Sequence, residues 1–163
     1  MAFTVYIIFV IALAGLIDPS YGQKVQIISK KTGNLVGADS LNLKLYGSTK
    51  LYAKKSIAIN TWILTESGYL RSQKIYIAET TSNSKLILSH SRKCDDGTDV
   101  VLYERQPNLS KNNYFFINMT SGYIFSAFCD NHCLYVDEET MGIKSTNNCN
   151  AHKDNKFVIK NVQ

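Results

Sequence analysis

Residues 60–70 read NTWILTESGYL, and residues 113–124 read NYFFINMTSGYI. Both place an Asn two residues before an aromatic, an aliphatic two residues after it, and then Ser-Gly-Tyr with a further aliphatic. A shorter copy, NKFVIKN, closes the chain at residues 155–161. In a strand, side chains two apart share a face. Trp62 with Leu64, Phe115 with Ile117 and Phe157 with Ile159 therefore form three apolar pairs aimed at a core. Asn60, Asn113 and Asn155 stand on the same parity at the strand entry, where an amide can tie down turn backbone. Gly68 and Gly122 are expected to make the hairpin turn into the next strand.

The rest of the chain is written in the same idiom. Short runs such as VQIIS, KIYIAE, KLILS, DVVLY and CLYVD are rich in β-branched, aromatic and aliphatic residues, and Gly-, Asn-, Asp- and Ser-containing turns separate them. About twelve strands are expected, with no sustained helical period after residue 22. The repeated Asn recurs after 53 and then 42 residues, on average close to a third of the 141 residues from Gln23 to Gln163. Three units of four strands are the arithmetic of a β-trefoil, an all-β barrel around a pseudo-threefold axis whose closure removes sheet edges. The refrain is assigned to the third strand of each unit.

Residues 2–17 carry no charge, and Asp18-Pro19 ends the run. It is shorter than the ~20 residues of a membrane-spanning helix. Small residues at Ser20 and Gly22 suit cleavage after Gly22. Residues 1–22 therefore read as a secretory signal, with a retained anchor as the alternative, and residues 23–163 as one secreted domain with no stable membrane span. That domain has 18 basic and 12 acidic residues, net +6. The basic pairs are scattered, so a solvated basic surface competes with binding of sulfated polyanions, and export disfavours nucleic acid. Four cysteines, Cys94, Cys129, Cys133 and Cys149, suggest two disulfides in any of three connectivities. Asn108-Leu-Ser110 and Asn118-Met-Thr120 are acceptor sequons for N-glycans in a eukaryotic host.

Other chemistry finds less support. Cys129, His132, Cys133, Cys149 and His152 have spacings that would suit zinc, but exported thiols oxidise, so no metal is assigned. Asp95-Asp96-Gly97-Thr98-Asp99 lacks the spacing of a calcium loop and reads as a turn. Glu138 and Glu139 would face opposite sides of a strand, which argues against a paired acid and base. No nucleophile elbow or phosphate loop is present. The chain is read as non-catalytic and without a cofactor.

Asn60-Thr-Trp62, Asn113-Tyr-Phe115 and Asn155-Lys-Phe157 resemble the Gln-x-Trp repeats of ricin B-type lectins, over nearly the whole domain. Size and Asn/Lys/Ile-rich composition are similar to those of small secreted ricin-B-like proteins of microsporidian parasites. The resemblance implies a disulfide Cys133–Cys149, with Leu35 and Leu86 at the matching positions of the other repeats. It predicts no partner for Cys94 and Cys129, which are left to pair with each other, to stay free or to bridge to another chain. It also implies shallow sugar sites, each built from an Asp, an aromatic platform and amides beside the repeat. Gly37, Leu88 and Tyr135 fall at the Asp position. The sites expected to survive are Tyr103, Asn112, Asn113 and His90 in repeat two, and Asp39 with Tyr52 in repeat one. Glycans or glycoproteins are the implied partners. The alternatives are a trefoil that has lost its sugar sites and serves as a structural or protein-interaction module, or one that binds sulfated polyanions.

Overall fold

The computed structural model describes residues 22–40, 48–82, 86–152 and 154–163. The proposed signal segment therefore lies outside the described residues, Gly22 apart. Among the described residues there are thirteen strands and one 3-10 turn, and no helix long and apolar enough to cross a membrane. The first unit holds β1 (Gln23–Ser29), β2 (Leu35–Gly37), β3 (Ser48–Lys50), β4 (Tyr52–Lys54) and β5 (Trp62–Leu70). The second holds β6 (Gln73–Thr80), β7 (Leu86–His90), β8 (Thr98–Glu104), the 3-10 turn Lys111–Asn113 and β9 (Phe115–Ile117). The third holds β10 (Ile124–Ser126), β11 (Cys133–Val136), β12 (Ile143–Thr146) and β13 (Phe157–Asn161).

The fold is a β-trefoil. The first and last strands of each unit build the barrel: β13 pairs β1, β1 pairs β5, β5 pairs β6, β6 pairs β9 and β9 pairs β10. The inner strands form three hairpins, β2–β4, β7–β8 and β11–β12. These touch one another through β3–β8, β8–β12 and an isolated bridge between Tyr52 and Gly142. β3 and β4 count as one interrupted strand of the unit: Leu51, buried in the core, separates them, and its carbonyl accepts from the Ile143 N–H.

The refrain lies on the fourth strand of each unit, not the third as expected, because β5, β9 and β13 return to the barrel after the hairpin. Trp62, Phe115 and Phe157 are each at most 3 % exposed and belong to one cluster with Leu64 and Ile117, while Ile159 packs against its edge. The Trp62 indole N–H finds a partner in the Val36 carbonyl at 3.1 Å, as a buried indole requires. The three Asn amides do bind backbone. Asn60 donates to the Ile57 carbonyl, Asn113 accepts from the Ser110 N–H, and Asn155 accepts from the Val136 N–H.

The two Ser-Gly turns differ. Gly122 (φ +81°) makes the β9–β10 turn, and a side chain there would meet the Phe157 carbonyl at 2.5 Å. Gly122 thereby lets one repeat lie against the next, its carbonyl accepting the Phe157 N–H at 2.7 Å. Gly68 makes no turn. It sits at a bulge within β5, between Glu66 and Tyr69, and the chain reverses at Arg71-Ser72, both at positive φ. Neither residue type signals that conformation.

Removing an aromatic from this core leaves a cavity the barrel cannot close. Trp62→Ala is expected to lower stability by about 3–5 kcal/mol, and Val158→Ala, on the exposed face of β13, by less than about 0.5 kcal/mol. Urea denaturation followed by circular dichroism checks both.

Candidate functional site

Tyr103, Asn112, Asn113 and His90 come together on one cavity of about 600 Å³, which Ser48, Lys50, Asp99 and Ser110 also line. This lies within the range of small-molecule pockets. The strand β7 is buried at every residue, so its polar side chains need partners. Ser89 finds them in the 3-10 turn: its hydroxyl accepts from Asn112 Nδ2 at 3.0 Å and from Asn113 Nδ2 at 3.2 Å. Asn112 also donates to the His90 carbonyl at 3.2 Å, and its Oδ1 accepts from the Ser110 hydroxyl. The turn is thus pinned to β7 by amides, with Asn112 held at the cavity wall. Lys50 on β3 reaches Asp99 on β8 at 2.9 Å, and this hydrogen bond raises the Lys50 pKa. Among the described residues no ring stacks on Tyr103 and no cation lies over it.

His90 contributes backbone rather than imidazole to the cavity. Its side chain is wholly buried. Nδ1 lies 2.5 Å from the Ser91 carbonyl, which can only accept, so Nδ1 carries the proton. Nε2, at 2.6 Å, then accepts from the Ser145 hydroxyl. Burial pushes the His90 pKa down, and nearby His132 adds to that, against the opposing pull of the Ser91 carbonyl.

Asp39 and Tyr52 also come together, but around a side chain of the protein itself. Lys54 Nζ lies 2.5 Å from Asp39 Oδ2 and 4.0 Å from the centre of the Tyr52 ring. One cation covers both the platform and the carboxylate. Gly37, at the expected Asp position, has no room for a side chain: a Cβ would fall 1.7 Å from the Ile59 carbonyl. In repeat two the corresponding Leu88 is core. In repeat three Tyr135 is stacked on His152, with centroids 4.2 Å apart, and Asp137 is held by Lys144 at 2.7 Å and by Thr140. These bonds, the Lys144 one first, hold the Asp137 carboxyl below the usual range.

Cys133–Cys149 forms as the resemblance implied, joining β11 to the segment after β12, and Cys94 pairs with Cys129. With all four sulfurs bonded, the sequence pattern that suggested zinc does not form, and His152 is spent on Tyr135. Both sequon asparagines, Asn108 and Asn118, are exposed. Sequence reasoning missed Ser89 and Lys54. A Ser directly after the apolar run Leu86-Ile-Leu88 was the available signal for the first; nothing in the sequence singled out Lys54.

No protein-family model and no curated protein matches the sequence. Among solved structures, a salivary protein of Culex quinquefasciatus from the cysteine- and tryptophan-rich family aligns at 15% identity and TM-score 0.67, over 86% of this chain and 94% of that one. ThreeFoil, a designed threefold-symmetric protein, aligns at 12% identity and TM-score 0.66, over 85% and 99%. A ricin B-like lectin of Macrolepiota procera, solved with lactose, aligns at 16% identity and TM-score 0.55, over 88% and 98%. At these identities the likeness is one of fold.

The buried neutral His90 sets a pH dependence. Unfolded, it takes up a proton near pH ~6.5; folded, it resists. Its effect on stability is absent above that value and grows as pH falls below it, until the lower folded-state pKa is reached. The urea midpoint is expected to fall between about pH 7.5 and about pH 5.5, and His90→Gln to flatten that fall.

Proposed function

We propose that this chain is a secreted, non-catalytic trefoil of residues 23–163 that binds neutral glycans through the cavity of repeat two, with residues 1–22 as its cleaved signal. The observation that carries the reading is a difference between repeats. The Tyr103 face and the amide wall of Asn112 meet at an open cavity, whereas in repeat one Lys54 covers Tyr52 and Asp39, and in repeat three the residue at the Asp position, Tyr135, is stacked on His152. An aromatic face suits the apolar side of a pyranose, and Asn112 Oδ1, fixed by its Ser110 bond with a second lone pair to offer, suits a sugar hydroxyl. Asn113, itself buried, positions Asn112 rather than touching ligand. A catalytic role is disfavoured because both nitrogens of the cavity's one histidine among the described residues are engaged in the interior.

The trefoil shared with a lectin solved with lactose, and two disulfides suited to an oxidising compartment, support the reading. The similarity to microsporidian proteins rests on size and composition alone. Seven ion pairs among the described residues already engage basic side chains over the surface, which weakens the case for a massed polyanion site. Asn108 lines the cavity, so an N-glycan there would stand at its mouth, and binding is best measured on unglycosylated protein.

On a glycan array at physiological salt, the oxidised protein is expected to bind neutral glycans. Tyr103→Ala and Asn112→Ala are expected to weaken binding at least about tenfold, or about 1.4 kcal/mol, and Asp39→Ala to leave it unchanged. Binding confined to sulfated glycans and abolished by salt would replace this reading with the polyanion one. Silence across the array would replace it with a structural or protein-binding module.

A further inference from the structure

We infer that Cys94, Cys129, His90 and His132 form a second, redox-gated site: a disulfide when oxidised, and a tetrahedral Cys2His2 site for Zn2+ when reduced. The cluster lies where β7 approaches the loop after β10, on the interior side of His90. One ligand atom from each of His90, Cys129 and His132 falls within 4.8 Å of the others, and all three residues are buried. Cys94 is bonded to Cys129 and so brings the fourth donor. Unlike its partner it is exposed, so the disulfide can be reached by a reductant.

The distances suit the ion. Bonds of ~2.3 Å to sulfur and ~2.05 Å to nitrogen at tetrahedral angles separate the two donors by about 3.6 Å. His90 Nδ1 lies 3.8 Å from Cys129 Sγ. The two sulfurs, once the bond between them is broken, need to part only to about 3.8 Å. Two further observations point to a ligand. His132 is 4 % exposed, yet its Nδ1 has no hydrogen-bond partner, an anomaly for a buried polar atom. His90 has an orienting group in place. When the metal takes Nδ1, the proton moves to Nε2, which then donates to Ser145 Oγ, now 2.6 Å away. A hydrogen bond from the far nitrogen is the usual support of a metal-bound histidine. The Nδ1 bond to the Ser91 carbonyl is given up.

The chemistry balances with a dithiol reductant. The dithiol gives two electrons and two protons to the Cys94–Cys129 bond and becomes a disulfide, leaving two thiols. Zn2+ then binds, and those two protons leave to solvent. Two thiolates and one divalent ion make a neutral site, which suits a buried position. This set is not the one the sequence spacing suggests: Cys94 and His90 stand in place of Cys133, Cys149 and His152.

Cobalt(II), a spectroscopic stand-in for zinc, tests the inference on the full chain. After reduction with dithiothreitol and its anaerobic removal, addition of cobalt is expected to give the intense visible bands of tetrahedral coordination and a thiolate charge-transfer band. Zinc should displace both. His132→Gln and Cys94→Ser should weaken cobalt binding at least about tenfold, and His152→Gln should not change it. The oxidised protein should give neither band. Absence of a tetrahedral spectrum from the reduced chain, folded or not, would overturn the inference. So would a spectrum that survives His132→Gln, or one lost equally in His152→Gln, which would place the metal at Cys133 and Cys149. A rise in the melting temperature of the reduced protein with zinc, absent in His132→Gln, gives a second readout independent of colour.

Discussion

Three aromatic side chains must fill one space. Trp62, Phe115 and Phe157 arrive from three separate units and meet in a single buried cluster, and every other feature of the domain follows from bringing them there. Each needs a strand that returns to the barrel after a hairpin, which fixes the four-strand unit. Each needs its entry held, which the preceding Asn does by bonding nearby backbone. Closing the ring requires β13 to find β1 across nearly the whole chain, and its register sets Phe157 opposite Ser29. Gly122 then lets the second repeat touch the third without a side chain between them.

With the core shared, the three hairpins are free to diverge, and they have done so by local contacts. The first has spent its aromatic and its acid on Lys54, and the third carries Tyr135 at the Asp position, stacked on His152. The second retains an open cavity because its amides bond inward to Ser89 rather than across the opening. The same strand that supplies Ser89 carries His90, whose ring points to the opposite side and meets the Cys94–Cys129 bridge. One short strand thus separates two chemically unrelated surroundings, a hydroxyl-and-amide wall on one side and a sulfur-and-imidazole cluster on the other.

Much of the architecture was legible because it is repeated. Three copies of Asn-x-aromatic at near-even spacing identify a threefold barrel even where each copy is weak, since the packing problem they solve is the same. The strand number within the unit was misjudged, because the sequence marks which residues are buried but not whether a run belongs to barrel or hairpin. The β5–β6 turn was misplaced for a related reason: Gly68 looks like a turn and serves as a bulge, while Arg71 and Ser72 take positive φ without any sequence signal. At the site, Tyr103, Asn112 and Asn113 could be placed by position in the repeat. What covers Tyr52 and Asp39 could not, because Lys54 acts through a side-chain reach that no pattern records. His90 lies beside the cavity in sequence, but the alternation of a buried strand turns its ring the other way, onto Ser145 and Cys129.

The central claim is that only the second repeat presents a usable sugar site. Its most direct test is chemical-shift mapping of isotope-labelled, oxidised, unglycosylated protein titrated with lactose and with a panel of other neutral saccharides. The account predicts that the binding saccharide shifts signals of Ser89, Tyr103, Ser110 and Asn112 and leaves those of Asp39, Tyr52, Tyr135 and His152 in place. Shifts centred on Tyr52 or Tyr135, or none with any saccharide, would contradict it.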